Sequence, residues 1–396
     1  MPFTLLQVLF WSALFLVFYA YLGYGLLLWL LIRLGRGRPA SQSGDFLPAI
    51  SFITCAYNEE DHIEAKIANS LALDYPRDRI QFIFVSDGST DATAALIDGY
   101  PYPEGVQRLH LHDPVRRGKI AAFQRAMERV QTPFVVSTDA NALVNPEAVR
   151  LLAAHFADPS VGAVAGEKRI SLAARDAANS AGEGIYWRYE SLLKKWDAAL
   201  GSVVGAAGEL FAFRTEAYEK VPSDTIIEDF YLTLRMARNG WRVAYEPGAY
   251  AVESASASVA EELKRKIRIA AGGIQAVARL YELLNVFRYG WLSVQYISHR
   301  VLRWTLAPAL LPVIFLLNLL LAGRGGFLYP ALLAGQVVFY AAAWAGYLLE
   351  KRHMKVRALF VPYYFCVMNY AVYAGFLRFL RGNQSVLWEK AKRASA

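Results

Sequence analysis

Only two cysteines, Cys55 and Cys366, occur among 396 residues. That excludes a disulfide-stapled scaffold and a cysteine-rich zinc module. No zinc-finger spacing and no basic repeat interleaved with aromatics is present, so nucleic acid is not the expected partner. Internal repeats and long low-complexity segments are also missing, which excludes a solenoid. Charge is absent from Met1–Ile32, Trp304–Ala322, Gly325–Leu349 and Ala358–Leu377. Each run is long enough to span a bilayer. Their lack of acids argues against an ion-coupled transporter. Met1–Gln7 holds no basic residue of the kind a cleaved leader carries, so the first run is read as a retained helix, roughly Leu5–Ile32.

What is present is apolar and basic: 55% hydrophobic residues and a formal charge of +8. Much of the basic excess flanks the apolar runs. Arg33, Arg36 and Arg38 follow the first. Lys351, Arg352, His353, Lys355 and Arg357 lie between the last two. The positive-inside rule puts both groups, and the chain between them, in the cytoplasm. By that count the basic tail 378–396 falls outside, against the same rule, so one C-terminal run is a candidate re-entrant or interfacial segment. The expected order is a membrane helix (1–34), a linker (35–47), a soluble domain (48–260), basic and amphipathic interfacial helices (261–303), C-terminal membrane helices (304–377) and the tail.

The soluble stretch alternates strand and helix patterns. Ile50–Thr54 is an apolar, β-rich run that ends at Cys55-Ala56-Tyr57-Asn58-Glu59. A helix follows, with Ile63, Ile67 and Leu71 on one face. Ile80–Val85 ends at Ser86-Asp87-Gly88-Ser89-Thr90-Asp91. Leu109–Leu111 reads as a weaker strand and Lys119–Val130 as an amphipathic helix. Phe134–Ser137 is a strand that runs into Thr138-Asp139-Ala140-Asn141. Repeated strand–helix units predict an α/β fold with a mostly parallel sheet and its polar tips on one edge. Ligands bind beyond the carboxyl ends of such strands. Three of these tips carry acids: Glu59, Asp87 and Asp139. A carboxylate there can hold Mg²⁺ or Mn²⁺, and the ion can hold a diphosphate.

With these motifs in order, the chain resembles the membrane-bound family 2 glycosyltransferases, polysaccharide-synthase-like enzymes with a GT-A catalytic domain. The likeness runs from about Ile50 to Arg303. It implies a Rossmann-like, mostly parallel GT-A domain between one N-terminal and about three C-terminal transmembrane helices. It also implies residue roles. Ala56, Tyr57 and Glu59 match the tip that holds uridine. Asp87 matches the second tip, where the family usually has two acids and this chain has Ser86 first. Lys119, after Arg117-Gly118, resembles the family lysine that meets phosphate at a helix start. Asp139-Ala140-Asn141 stands in the place of Asp-x-Asp, with Asp139 and Asn141 as metal contacts; Asn141 removes one negative charge.

Glu228-Asp229 resembles the Glu-Asp pair before a leucine-rich helix, with Asp229 as general base. The segment 205–214, which includes Gly208 and Glu209, looks like the loop near the acceptor. Arg265 and Arg268 match the arginines of Gln/Arg-x-x-Arg-Trp, which grip diphosphate, while Ile269 replaces the tryptophan that would stack on an acceptor sugar. The resemblance implies an inverting transferase of the inner (plasma) membrane, with a UDP-sugar donor. Its acceptor would be a growing exopolysaccharide or lipid-linked oligosaccharide, and proteins of a polysaccharide export system would be its partners. Transfer of a single sugar to a sphingolipid- or hopanoid-type lipid is the alternative that Ile269 favours. A catalytically inactive membrane scaffold is the reading from another class.

Overall fold

The computed structural model describes residues 3–37, 46–170, 179–254, 258–324, 326–352, 354 and 356–382, without the side chains of 179–186 and Arg357. The linker 38–45, His353, Lys355 and the tail beyond residue 382 lie outside the described residues.

Among the described residues, eight strands form one sheet: β1 (Ile50–Ala56), β2 (Ile80–Asp87), β3 (Gln107–Asp113), β4 (Phe134–Asp139), β5 (Leu143–Val144), β6 (Val161–Ile170), β7 (Leu210–Arg214) and β8 (Arg242–Glu253). Their spatial order is β3-β2-β1-β4-β7-β6-β8-β5. Side chains alternate across a strand, and here both faces are covered. Ile53, Ile83, Val85 and Val135 enter one core, and Phe52, Phe82, Phe84, Phe134 and Val136 enter the other. Burial on both faces is what the continuous apolar runs of β1, β2 and β4 encode.

The first half of the sheet is parallel as expected: β2 pairs with β3, and β1 pairs with both β2 and β4. The second half is mixed. β7 runs antiparallel between β4 and β6, and β5 antiparallel to β8. β7 corrects the reading of 205–214 as loop throughout. Leu210 and Ala212 face one core while Phe211 and Phe213 face the other, so this five-residue run fits a central strand. β6 and β8, not anticipated from the sequence, pair in parallel.

Register brings the tips together. Ala56 lies opposite Ser86, and Cys55 lies opposite Val85 on one side and Asp139 on the other.

Among the described residues, three helices are long and apolar enough to cross a membrane: Phe3–Arg33, Leu328–Lys351 and Ala358–Leu380. The remaining uncharged run does not form one straight span. Helix Leu306–Ala322 meets Trp291–Trp304 at a 55° bend, so it counts only if the bent pair is a single crossing. Pro308 cannot donate to the carbonyl four residues back, at Trp304, which accounts for the break at Thr305. Leu6, Phe10 and Ala13 of the first helix pack against Ile314, Leu321 and Tyr329.

Candidate active site

The first two tips are laced together. Asn58 adopts φ +52°, and no other non-glycine among the described residues has positive φ. Its side chain donates to Thr90 Oγ1 (3.3 Å) and accepts from the Thr90 amide (2.8 Å). The Glu59 amide donates to Thr93 Oγ1 at 2.8 Å, and Glu59 is buried. The Tyr57 ring does not present an open face on both sides. The Arg116 guanidinium lies 3.6 Å from its centroid, a cation–π contact.

Asp87 turns toward the chain itself. Its Oδ2 accepts from the Arg117 and Gly118 amides at 3.0 and 2.6 Å, and its Oδ1 from Arg125 at 2.9 Å. It thereby fixes the turn that launches helix Lys119–Met127. Gly118 precedes that helix at φ +94°, a backbone conformation that glycine adopts freely.

Lys119 then reaches the centre of the site. Its Nζ lies 2.7 Å from Asp139 Oδ1 and 2.8 Å from Glu228 Oε1. A Cβ on Gly208 would sit 3.2 Å from Lys119 Nζ and 3.4 Å from Asp229 Oδ2, so a side chain there would press on the tip of Lys119. Asp139, Lys119, Gly208, Glu228 and Asp229, distant in sequence, thus meet beyond the end of β4. Glu228-Asp229 opens helix Glu228–Arg238, where the amide dipoles favour acids. Helix Val259–Arg279 approaches from the other side through small residues. Gly272 abuts Ile226 and Ile227, and Gly273 abuts Trp304. Arg268 NH1 lies 3.5 Å from the Ile226 carbonyl, and its charge acts on both Glu228 and Asp229.

The two adjacent acids differ in proton affinity. Burial and the neighbouring Glu228 charge push Asp229 up to about 7, with Lys119 pulling the other way. Burial also raises Glu228, but Lys119 and hydrogen bonding outweigh it and hold that carboxyl below its usual value. Burial raises Asp139, and Lys119 offsets it only in part. Lys119 is itself held well above its usual value, since Asp139, Glu228 and Asp229 outweigh its burial. Two neighbouring acids driven apart in this way are the arrangement that acid–base chemistry uses.

The remaining expected residues fall nearby. Glu209 forms an ion pair with Lys168, which also contacts Glu253 at 2.5 Å. Arg265 is forked onto Glu262 at 2.9 and 3.0 Å, with its charge felt by Glu209. Ile269 packs against the core.

The sequence reading missed Lys66. It is fully buried, and its Nζ donates to Thr138 Oγ1 (3.0 Å) and to the Ala142 carbonyl (2.5 Å). It therefore ties the two ends of the Asp139–Asn141 turn. Thr138 Oγ1 passes the chain on to the Glu209 carbonyl at 2.9 Å. The only sequence signal was a lysine on the buried face of an amphipathic helix, one position before Ile67.

Among the described residues, no group of three or more His, Cys, Asp or Glu could hold a metal by itself. A divalent ion that shares its shell with a diphosphate needs few protein oxygens. Asp139 at the strand end, with the half-buried Asn141 two residues on, fits that case.

Residues 48–272, more than half of the chain, match the model of "Glycosyltransferase like family 2". The chain belongs to this family. Members similar to it include the poly-beta-1,6-N-acetyl-D-glucosamine synthase of Staphylococcus aureus (strain MSSA476). That protein is 29% identical over 255 residues, 63% of this chain and 60% of the relative. The synthase of the same name from Staphylococcus epidermidis is 26% identical over 58% of this chain and 56% of its own length. The match thus spans about three-fifths of these relatives. Among solved structures, the mannosyltransferase PcManGT of Pyrobaculum calidifontis, in complex with GDP-Man and Mn²⁺, superposes with a TM-score of 0.71. It is 22% identical, with coverage of 95% of this chain and 99% of that one. This glycosyltransferase chain therefore has the GT-A fold together with its flanking helices.

Proposed function

We propose that the protein transfers a sugar, with inversion, from a UDP-linked donor to a growing exopolysaccharide or lipid-linked oligosaccharide at the cytoplasmic face of the inner membrane. The observation that carries this reading is the meeting of Asp139, Lys119, Glu228 and Asp229 in one place, with Asp229 poised near 7. Inverting transfer needs one base near the acceptor hydroxyl and charge stabilisation at the leaving diphosphate on the opposite side. Asp229 takes the hydroxyl proton. Lys119 shifts from its carboxylate partners toward the diphosphate oxygens, and Arg265 and Arg268 add positive charge. Asp139 and Asn141 would hold Mg²⁺ or Mn²⁺, which neutralises charge on the departing diphosphate. Tyr57, Glu59 and Asp87 border the nucleoside, and Gly208-Glu209 borders the acceptor. Membrane helices, a cytoplasmic catalytic domain and export-system partners complete the reading.

The test is transfer by the detergent-purified full chain, with UDP-sugars and GDP-mannose screened in Mg²⁺ or Mn²⁺ and products identified by mass. Transfer from a UDP-sugar that Asp229→Asn lowers by about 10²–10⁴ supports the reading. Near wild-type transfer by that variant removes Asp229 as base, and no transfer from any donor removes the proposal. Ile269, which stands in place of the family tryptophan and packs partly buried against the core, favours a second reading: a single sugar added to a membrane lipid. Product size separates the two.

A further inference from the structure

A buried ionic cluster lies away from the strand tips, where the membrane helices meet the catalytic domain. Helix Asn179–Leu200 contributes Glu190 and Asp197, the first membrane helix contributes Tyr24, and the first helix of the bent pair, Trp291–Trp304, contributes Gln295, His299, Arg300 and Arg303. His299, Asp197 and Tyr24 are 0% exposed and Glu190 is 2%. His299 Nδ1 faces Asp197 Oδ2 at 2.6 Å and its Nε2 faces Glu190 Oε1 at 3.1 Å. Arg300 adds a 2.5 Å contact to Glu190, and Tyr24 donates to Asp197. Taking these charges out of water carries a desolvation cost that a simple helix contact does not require.

Its outputs lead to the acceptor loop. Arg300 Nε donates to the Val204 carbonyl at 3.2 Å. Gln295 Nε2 donates to the Asp197 carbonyl at 2.9 Å, and Gln295 Oε1 lies 3.4 Å from the Ser202 amide. Beyond Val204, Gly205 is seated against Phe230 at φ +87°. The Ala206 amide donates to Thr233 Oγ1 (3.0 Å), which bonds back to the Asp229 carbonyl at 2.8 Å. The loop is thus held on one side by the membrane-entry segment and on the other by the helix of the proposed base. Both helices that reach the cluster from the membrane carry a π-turn at this level, Tyr19–Gly23 and Ile297–Val301, joined by Tyr19 and Ser298 at 2.8 Å. π-turns of this kind are frequent at functional sites.

We propose that Glu190, Asp197, His299 and Arg300 form a positioning relay that sets the Gly205–Glu209 loop against Asp229 from the membrane helices. They touch no substrate; they hold the loop that borders the acceptor. This rests on the transfer reading above. The relay therefore governs the transfer step and not donor binding.

The experiment uses the full chain in detergent with His299→Gln, Arg300→Met, Arg300→Lys and Tyr24→Phe. Two quantities are read: hydrogen exchange of residues 201–208 against the tip 56–60, and kcat against KM for the UDP-sugar. Arg300→Met and His299→Gln should speed exchange in 203–206 and leave the tip unchanged. They should lower kcat about tenfold or more with donor KM within about twofold. Tyr24→Phe, a mild change, should give a smaller loss of the same kind. Arg300→Lys keeps the charge on Glu190 but lacks the guanidinium fork to Val204. It should restore the thermal midpoint and not the loop protection. Rescue of both by Lys, unchanged exchange in Arg300→Met, or equal losses at loop and tip would overturn the relay. If wild-type protein neither binds UDP nor transfers sugar, the transfer reading fails, and the exchange pattern still judges the relay.

Discussion

Replacing Glu228 by Gln tests the electrostatics of the proposed base, Asp229, most directly. Asp229 sits near 7 against an ordinary 3.8 because of burial first and the Glu228 charge second, with Glu209 adding to the rise. Lys119 opposes them, and the Phe230 amide, a hydrogen-bond donor to the carboxylate, opposes them less. A base acts as its carboxylate, so transfer should rise with pH through about 7 and level off above. Glutamine keeps the shape of Glu228 and can still accept from Lys119, but it removes the like charge. Two unit charges about 6 Å apart at an effective dielectric of about 20 repel by about 3 kcal/mol, or about 2 pKa units. The ion pair of Glu228 with Lys119, at 2.8 Å, cancels part of that. The expected result is an acid limb displaced downward by about one unit.

The assay is the initial rate of sugar transfer by the full chain from pH 5 to 9 at saturating donor. Lys119→Met should displace the same limb upward. A limb that stays in place in Glu228→Gln, or moves up, would refute the account. Stability gives an independent check. The folded state retains a proton on Asp229 that the unfolded chain releases above about 4. This contribution is therefore full below 3.8 and is lost as pH rises through about 7. Asp229→Asn should flatten that decline and melt higher than wild type at pH 8.

Asn141→Asp adds a carboxylate beside Asp139 and should lower the Mg²⁺ or Mn²⁺ concentration for half-maximal rate; an unchanged metal titration would mean that Asn141 does not face the ion. Lys66→Met fills the same space but leaves the Ala142 carbonyl without its donor. A loss of about 1–3 kcal/mol in stability is expected, read by thermal or denaturant unfolding, with weaker apparent metal affinity. Gly205→Ala should lower both the melting temperature and kcat. The glycine holds φ +87°, and a Cβ there would lie 2.0 Å from the Phe230 ring.

The parts of this protein encoded locally were legible. Strands buried on both faces appear as uncharged β-branched runs, so β1, β2 and β4 and their acidic tips could be placed from residue pattern alone. Helices long and apolar enough to cross a membrane are similarly explicit, because lipid tolerates so little charge. Other features depend on partners far away in the chain. The five-residue β7 is a strand only because β4 and β6 flank it. The bend at Thr305 shortens a run that composition alone would count as a span.

The same distinction holds within the site. Order along the chain marked Asp139, Glu228 and Asp229 as acids of one constellation, whereas their separation into a low carboxyl and one near 7 arises from Lys119 reaching across from another helix. The sequence places Lys66 on a helix face and His299 just before an apolar run, but it does not say which carbonyl or carboxylate will surround either. By itself the sequence determined the family, the runs apolar enough to cross a membrane and the residues at the ends of the first strands. The tertiary structure decided which charges touch, because proton affinity and position follow from burial and neighbours that only the folded chain brings together.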